Sequence, residues 1–128
     1  MKRTIFTLII LISALTAFAR PPRLTVETLF DGRYNSHRDV STSIYKNNGN
    51  YYRGLTIKKK NPTIVRQITD AIAADRNRAS QYSEHNDGNG RYTSLQVTNN
   101  GATIHIGLQI DNDGKAFFFI QGKEKAFK

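Results

Sequence analysis

The chain of 128 residues contains no cysteine and no long apolar run. Without cysteine it has no disulfide, no thiolate metal ligand and no cysteine nucleophile. The same absence excludes the thioether anchor of bacterial lipoproteins, which is attached to a cysteine at the cleavage site. The most apolar stretch lies within residues 1–19 and is shorter than the roughly 20 residues that a membrane-spanning helix needs.

Residues 1–19 have the three parts of a secretory signal peptide. Lys2 and Arg3 form a basic start, an apolar stretch follows, and Ala17-Phe18-Ala19 is a small-x-small cleavage site. We therefore expect cleavage between Ala19 and Arg20, with the product in the periplasm or outside the cell. A small exported protein without disulfides is typical of a bacterial envelope.

The remaining residues, 20–128, have the length of a single domain. Removing Lys2 and Arg3 lowers the formal net charge from +9 to +7, so this domain is still basic. A basic surface attracts anions, and the candidate partners are an anionic envelope glycan, lipopolysaccharide or another protein. The alternative is that the charge serves only solubility.

Asn-Gly and Asp-Gly turns flanked by alternating apolar residues predict β-hairpins. The turns are at residues 47–50, 99–101 and 111–114. The strands predicted around them are residues 40–45, 51–57, 92–97, 103–110 and 116–120. Their alternation is typical of an antiparallel sheet with one buried face.

A single long helix is predicted between the two hairpin systems. Asn61 is a good N-cap and Pro62 a good first residue, and apolar residues recur at helical spacing to about Tyr82. A loop is expected at 83–90, and residues 24–34 fit a short helix slightly better than a strand. The sequence thus predicts an α+β domain: a hairpin, the helix, then a three-strand meander, giving a five-stranded, mainly antiparallel sheet with the helix on one face.

The strand at residues 116–120 is apolar on both faces. In the favoured interpretation, the N-terminal segment with Leu29 and Phe30 covers the second face. In the alternative, Phe117 and Phe119 lie exposed as a docking surface.

Two loops were considered as metal sites. Residues 111–114 resemble the start of a calcium loop, but Gly122 occupies the position of its twelfth-residue carboxylate. Residues 84–87 contain carboxylates and an imidazole, but no His-x-x-x-His spacing accompanies them. We therefore expect no metal and no cofactor.

The enzyme alternative is a small secreted ribonuclease. Glu84, Arg91 and His105 occur in the order of base, phosphate-binding cation and acid for phosphodiester cleavage. Against it, such enzymes place helices before the sheet and have a tryptophan-rich core, whereas this chain has no tryptophan.

A family resemblance rests on the leader, on Val26-Glu27-Thr28-Leu29-Phe30 followed by Tyr34, on the helix before an Asp75-containing turn, and on the terminal hairpins. In these features the chain resembles small exported proteins of Bacteroides-type gut bacteria, which are domains of unknown function. The resemblance implies an envelope or secreted α+β domain and no particular activity.

The leading hypothesis is a non-catalytic exported domain that binds its ligand through a basic, tyrosine-bearing surface. The candidate binding residues are Tyr45, Tyr51, Tyr52, Arg53, Lys58, Lys59, Lys60, Phe117 and Phe119.

Overall fold

The computed structural model describes residues 23–127. The predicted signal peptide lies outside them. The elements in chain order are a 3-10 helix (Thr25–Phe30), β1 (Val40–Asn47), β2 (Asn50–Ile57), α1 (Pro62–Asp75), a 3-10 turn (Arg76–Arg78), β3 (Ala79–Asp87), β4 (Gly90–Asn99), β5 (Ala102–Asp111), β6 (Ala116–Lys123) and a second 3-10 helix (Glu124–Phe127). The strands form one open antiparallel sheet in the order β1-β2-β6-β5-β4-β3. The α+β class is confirmed.

The predicted hairpin turns are present where the Asn-Gly pairs occur. Asn48 and Gly49 have φ angles of 51° and 77°, and Asn100 and Gly101 have 53° and 72°. Both residues of each pair thus adopt the left-handed conformation that two-residue hairpins require. These turns set the registers of β1 with β2 and of β4 with β5.

The prediction of five strands is wrong, because the sheet has six. The helix ends at Asp75, and residues assigned to its last turns and to the following loop form β3. Tyr82 is the only large apolar side chain in this strand, and it pairs with Leu95 on the buried face. An edge strand with so little apolar surface shows almost no alternation, and its turn, Gly88-Asn89, resembles a polar loop in sequence.

One face of the sheet is covered by α1 and is called the helix face. The Asn61 side chain accepts a hydrogen bond from the Ile64 N–H at 3.1 Å, so the predicted N-cap is confirmed. Ile64, Ile68 and Ile72 are buried against the sheet. No helix within residues 23–127 is long and apolar enough to cross a membrane.

The N-terminal 3-10 helix is held to the end of α1 by a buried carboxylate. Asp75 is 2% exposed, and its two oxygens accept the backbone N–H groups of Thr25 and Val26, each at 2.8 Å. Glu27 accepts the N–H of Leu24 at 2.8 Å. These acceptors satisfy the free donors at the start of the short helix, and the preference for a helix in this segment is confirmed.

This N-terminal segment packs on the helix face. Leu29 is buried in the core, and Phe30 stacks on the fully buried Phe118 with ring centroids 5.8 Å apart. The expectation that Leu29 and Phe30 cover the second face is therefore wrong. Phe117 and Phe119 point to the opposite side because side chains alternate along a strand. No helix or loop within residues 23–127 packs over this side, which is called the open face.

Candidate functional site

The open face carries a band of aromatic side chains across most of its strands. Tyr45 lies on β1, Tyr52 on β2, Phe117 and Phe119 on β6, and Tyr92 on β4. This set is called the aromatic row. Tyr45 is 60% exposed, while Tyr92 and Phe117 are 38% and 37% exposed. Exposed rings concentrated on one face differ from the scattered apolar residues of an ordinary surface.

The centre of the row is Phe119, which lies between two glycines in the strand register. Gly54 on β2 and Gly107 on β5 pair directly with it. A Cβ added at Gly107 would lie 2.4 Å from Phe119 Cε1 and 3.1 Å from the Tyr92 hydroxyl. Both side chains therefore lie over the bare backbone of Gly107, which leaves a ring face directed to solvent.

The rings contact one another as a shallow platform. The ring centroids of Tyr52 and Phe119 are 6.2 Å apart with 17° between the planes, and those of Phe117 and Phe119 are 6.1 Å apart with 28°. Partial burial of its hydroxyl raises the pKa of Tyr52 above the ordinary value. Tyr52 thus stays neutral at physiological pH and can both donate and accept a hydrogen bond.

Neutral polar groups surround the aromatic row. Amide side chains project from several strands, and imidazoles and hydroxyls lie between them. These side chains are Gln81, Ser83, His85, Ser94, Gln96, Thr103, His105, Gln109 and Gln121. Such a face offers many donors and acceptors, and the charged residues of its strands are Lys123 at one end and Asp87 and Asp111 at the other.

A cleft of about 870 Å³ opens where the aromatic row meets the end of the sheet. The side chains that line it combine aromatic, amide, imidazole and ammonium groups, and none is a carboxylate. The lining includes Tyr45, Tyr51, Tyr52, His105, Gln121, Lys123 and Lys125. The arrangement is able to hold a hydroxyl-rich molecule and to attract a negative group at its lysine end.

Of the candidate binding residues, Tyr45, Tyr52, Phe117 and Phe119 come together on the open face. Tyr51 and Arg53 instead belong to the helix face, because they alternate with Tyr52 and Gly54. Arg53 donates to the Tyr51 hydroxyl, and its guanidinium lies 4.8 Å from the Tyr51 ring centroid and 5.8 Å from that of Phe30. The cation–π contact between Arg53 and Phe30 connects β2 to the N-terminal segment.

The lysine run is separate from the cleft. Lys58, Lys59 and Lys60 are exposed in the connection between β2 and α1, near Gly114 and thus at the opposite end of the sheet. They add to the positive field of the domain but do not line the cleft.

The residues of the ribonuclease alternative do not share a face. Glu84 and Arg91 point to the helix face, where Glu84 pairs in register with Thr93 and Arg91 with Ile110. His105 points to the open face and has Gln96 and Gln121 as its cross-strand neighbours. The proposed base, cation and acid therefore do not converge on one phosphodiester.

Tyr92, Gln121, Lys123 and Lys125 were not among the predicted site residues. Gln121 and Lys123 on β6 become neighbours of β2 only through the strand order, which local turn signals do not reveal. Within the described range, no group of three or more His, Asp or Glu side chains is arranged to hold a metal ion.

Comparison of the chain with protein-family models, with curated protein sequences and with solved structures finds no match.

Proposed function

We propose that this protein is an exported, non-catalytic carbohydrate-binding domain that holds an acidic glycan on its open face. The observation that carries the proposal is the aromatic row, which lies on an uncovered sheet face beside a cleft with lysines and without carboxylates. Export is proposed from the three-part pattern of residues 1–19.

Ring faces and amides together match the chemistry of sugars. The C–H face of a pyranose is apolar and stacks on an aromatic ring. Phe119 and Tyr52 supply such rings on the open face. Its hydroxyls are donors and acceptors at once, and the carboxamides of Gln96 and Gln121 beside His105 supply both functions. A few oriented polar groups around apolar walls are the usual composition of a small-molecule site.

The charge distribution favours an acidic glycan over a nucleic acid. A nucleic acid carries a phosphate at every residue, and its binding depends on many cations along the path. The open face has Lys123 as its only lysine or arginine between Tyr52 and Tyr92, with Lys125 at the rim. This number suits a glycan with occasional carboxylate or sulfate groups, and the net basic charge adds long-range attraction.

Binding without catalysis is supported by the surroundings of His105. Glycoside hydrolysis generally needs a pair of carboxylates that flank the scissile bond. The cross-strand neighbours of His105 are amides, and no carboxylate lines the cleft.

Phe119→Ala and Tyr52→Ala are each expected to weaken binding to a glycan with a carboxylate on every second sugar at least tenfold, about 1.4 kcal/mol. Each change removes one ring of the stacked pair. Because both side chains are only half-buried, we expect the free energy of unfolding to fall by no more than about 1–2 kcal/mol. Titration of the purified protein by calorimetry with hyaluronan oligosaccharides, in which a uronic acid alternates with a neutral sugar, measures the affinity.

The matched control replaces Lys58, Lys59 and Lys60 together with alanine. This variant loses three charges but keeps the cleft, so its affinity is expected to stay within about threefold of the unchanged protein. A large loss in the control with none in Phe119→Ala contradicts the proposal, because binding then depends on diffuse charge. Absence of binding to acidic and neutral polysaccharides alike also contradicts it.

A further inference from the structure

The sheet has two edges, and only one of them is protected against further pairing. The β3 edge carries an irregularity between Ala79 and Gln81 and the charged residues Glu84 and Asp87. Irregularities and charges are the devices by which proteins block strand addition. Strand β1 has a regular register along all eight residues and carries a single charge, that of Lys46.

The exposed apolar surface of the domain is concentrated on this unprotected edge. Ile44 and Tyr45 are 59% and 60% exposed, the highest values among the large apolar side chains of residues 23–127. They are adjacent, so Ile44 faces the helix side and Tyr45 the open side. Both sides of the β1 edge therefore present an apolar group at the middle of the strand.

We propose that β1 pairs antiparallel with β1 of a second copy of this chain, with Ile44 opposite Ile44 on a two-fold axis. The pairing joins the two sheets into one continuous sheet, with both helix layers on the same side. This pairing does not rest on the proposed function, although Tyr45 also lines the cleft.

The β1 sequence complements itself in this register. Ile44 contacts its own copy, and a β-branched cross-strand pair is favourable. The large Tyr45 lies opposite the small Ser43 of the second copy, so the two residues fill the same layer. Lys46 lies opposite Thr42 of the second copy, which avoids placing like charges against each other. Lys46 is also paired with Glu124 at 3.4 Å within its own chain.

The pairing also extends the aromatic row of each copy. Ser43 is the register partner of Gly54, which in turn pairs with Phe119. Tyr45 of the second copy therefore lies beside Ser43, next to the Tyr52 hydroxyl that covers the backbone of Gly54. Each chain contributes one ring to the open face of its partner.

A cysteine scan tests the register directly, because the natural chain contains no cysteine. With Ile44→Cys, the two introduced thiols face each other at a Cα separation of about 4.5–5.5 Å, within the range of a disulfide. With Thr42→Cys or Lys46→Cys alone, identical positions are offset by about 13 Å along the strands, too far for a bond. In a mixture of the Thr42→Cys and Lys46→Cys chains, the thiol at position 42 of one chain lies opposite the thiol at position 46 of the other, so the two are close enough to form a bond.

We expect mild oxidation to link Ile44→Cys nearly completely and to link the two other variants only when they are mixed. Sedimentation of the protein expressed from the full-length chain should show a dimer that Ile44→Lys converts to a monomer, while Ser83→Lys on the β3 edge does not. Equal linking of all variants, or a monomer up to about 1 mM, overturns the proposal. The second result leaves β1 free to pair with a strand of a different protein.

Discussion

Phe118→Ala is expected to lower the free energy of unfolding by about 3–5 kcal/mol, the usual cost of removing a fully buried phenylalanine. Phe118 is 0% exposed, lies between Leu55 and Leu108 in the register, and stacks on Phe30. Its loss opens a cavity where the sheet meets the N-terminal segment. Urea denaturation followed by circular dichroism measures the change.

The neighbouring residue provides the control. Phe117→Ala removes an identical side chain one position away, but this side chain is 37% exposed on the open face. We expect a smaller loss of about 1–2 kcal/mol, since more than a third of its area stays exposed and its removal leaves no closed cavity. Equal losses for the two variants would mean that the open face is covered, contrary to the arrangement described above.

Asp75→Ala is expected to destabilise the domain by about 2–4 kcal/mol, because two backbone donors lose their only acceptor. The Asp75 carboxylate accepts the N–H groups of Thr25 and Val26 in a largely buried position. Its removal frees the N-terminal 3-10 helix from the end of α1. Hydrogen exchange at these two amides should therefore accelerate more than exchange in β5.

Asp70→Ala is the matched control for the buried carboxylate. Asp70 lies on the same helix but is exposed, so we expect a change within about 0.5 kcal/mol. If Asp70→Ala and Asp75→Ala have similar effects, helix charge rather than the buried hydrogen bonds accounts for the stability.

The hairpins could be predicted from the sequence because their chemistry is local. Asn48-Gly49 and Asn100-Gly101 are the residues that tolerate a positive φ, and the flanking alternation points to one buried face. The end of the helix could not be predicted in the same way. Ala79 and Tyr82 continue the helical spacing of apolar residues, although both belong to β3.

The strand order could not be predicted because no local signal encodes it. Strand β6 lies between β2 and β5. Phe119 therefore pairs with Gly54, although the two residues are far apart in the sequence. The open face depends on that contact, because it brings Tyr52 and Phe119 together. The residue types of Tyr45, Tyr52, Phe117 and Phe119 therefore indicated part of the candidate site, but the sequence did not predict their arrangement on one face.

The separation of Tyr51 from Tyr52 was predictable from the sequence. Tyr51 and Arg53 have the same parity along the strand as Leu55 and Ile57, whose apolar side chains mark the buried face. Adjacent residues of a strand point to opposite faces, so the two tyrosine side chains lie on different faces of the sheet, although both residues line the cleft at its end.

A nuclear magnetic resonance titration of the isotope-labelled protein with hyaluronan oligosaccharides tests most directly whether the open face binds an acidic glycan. We predict that shifts concentrate at Tyr52, His105, Phe119 and Gln121, around the cleft and the aromatic row. Shifts centred on Lys58, Lys59 and Lys60, or on the helix face around Arg53, would contradict it.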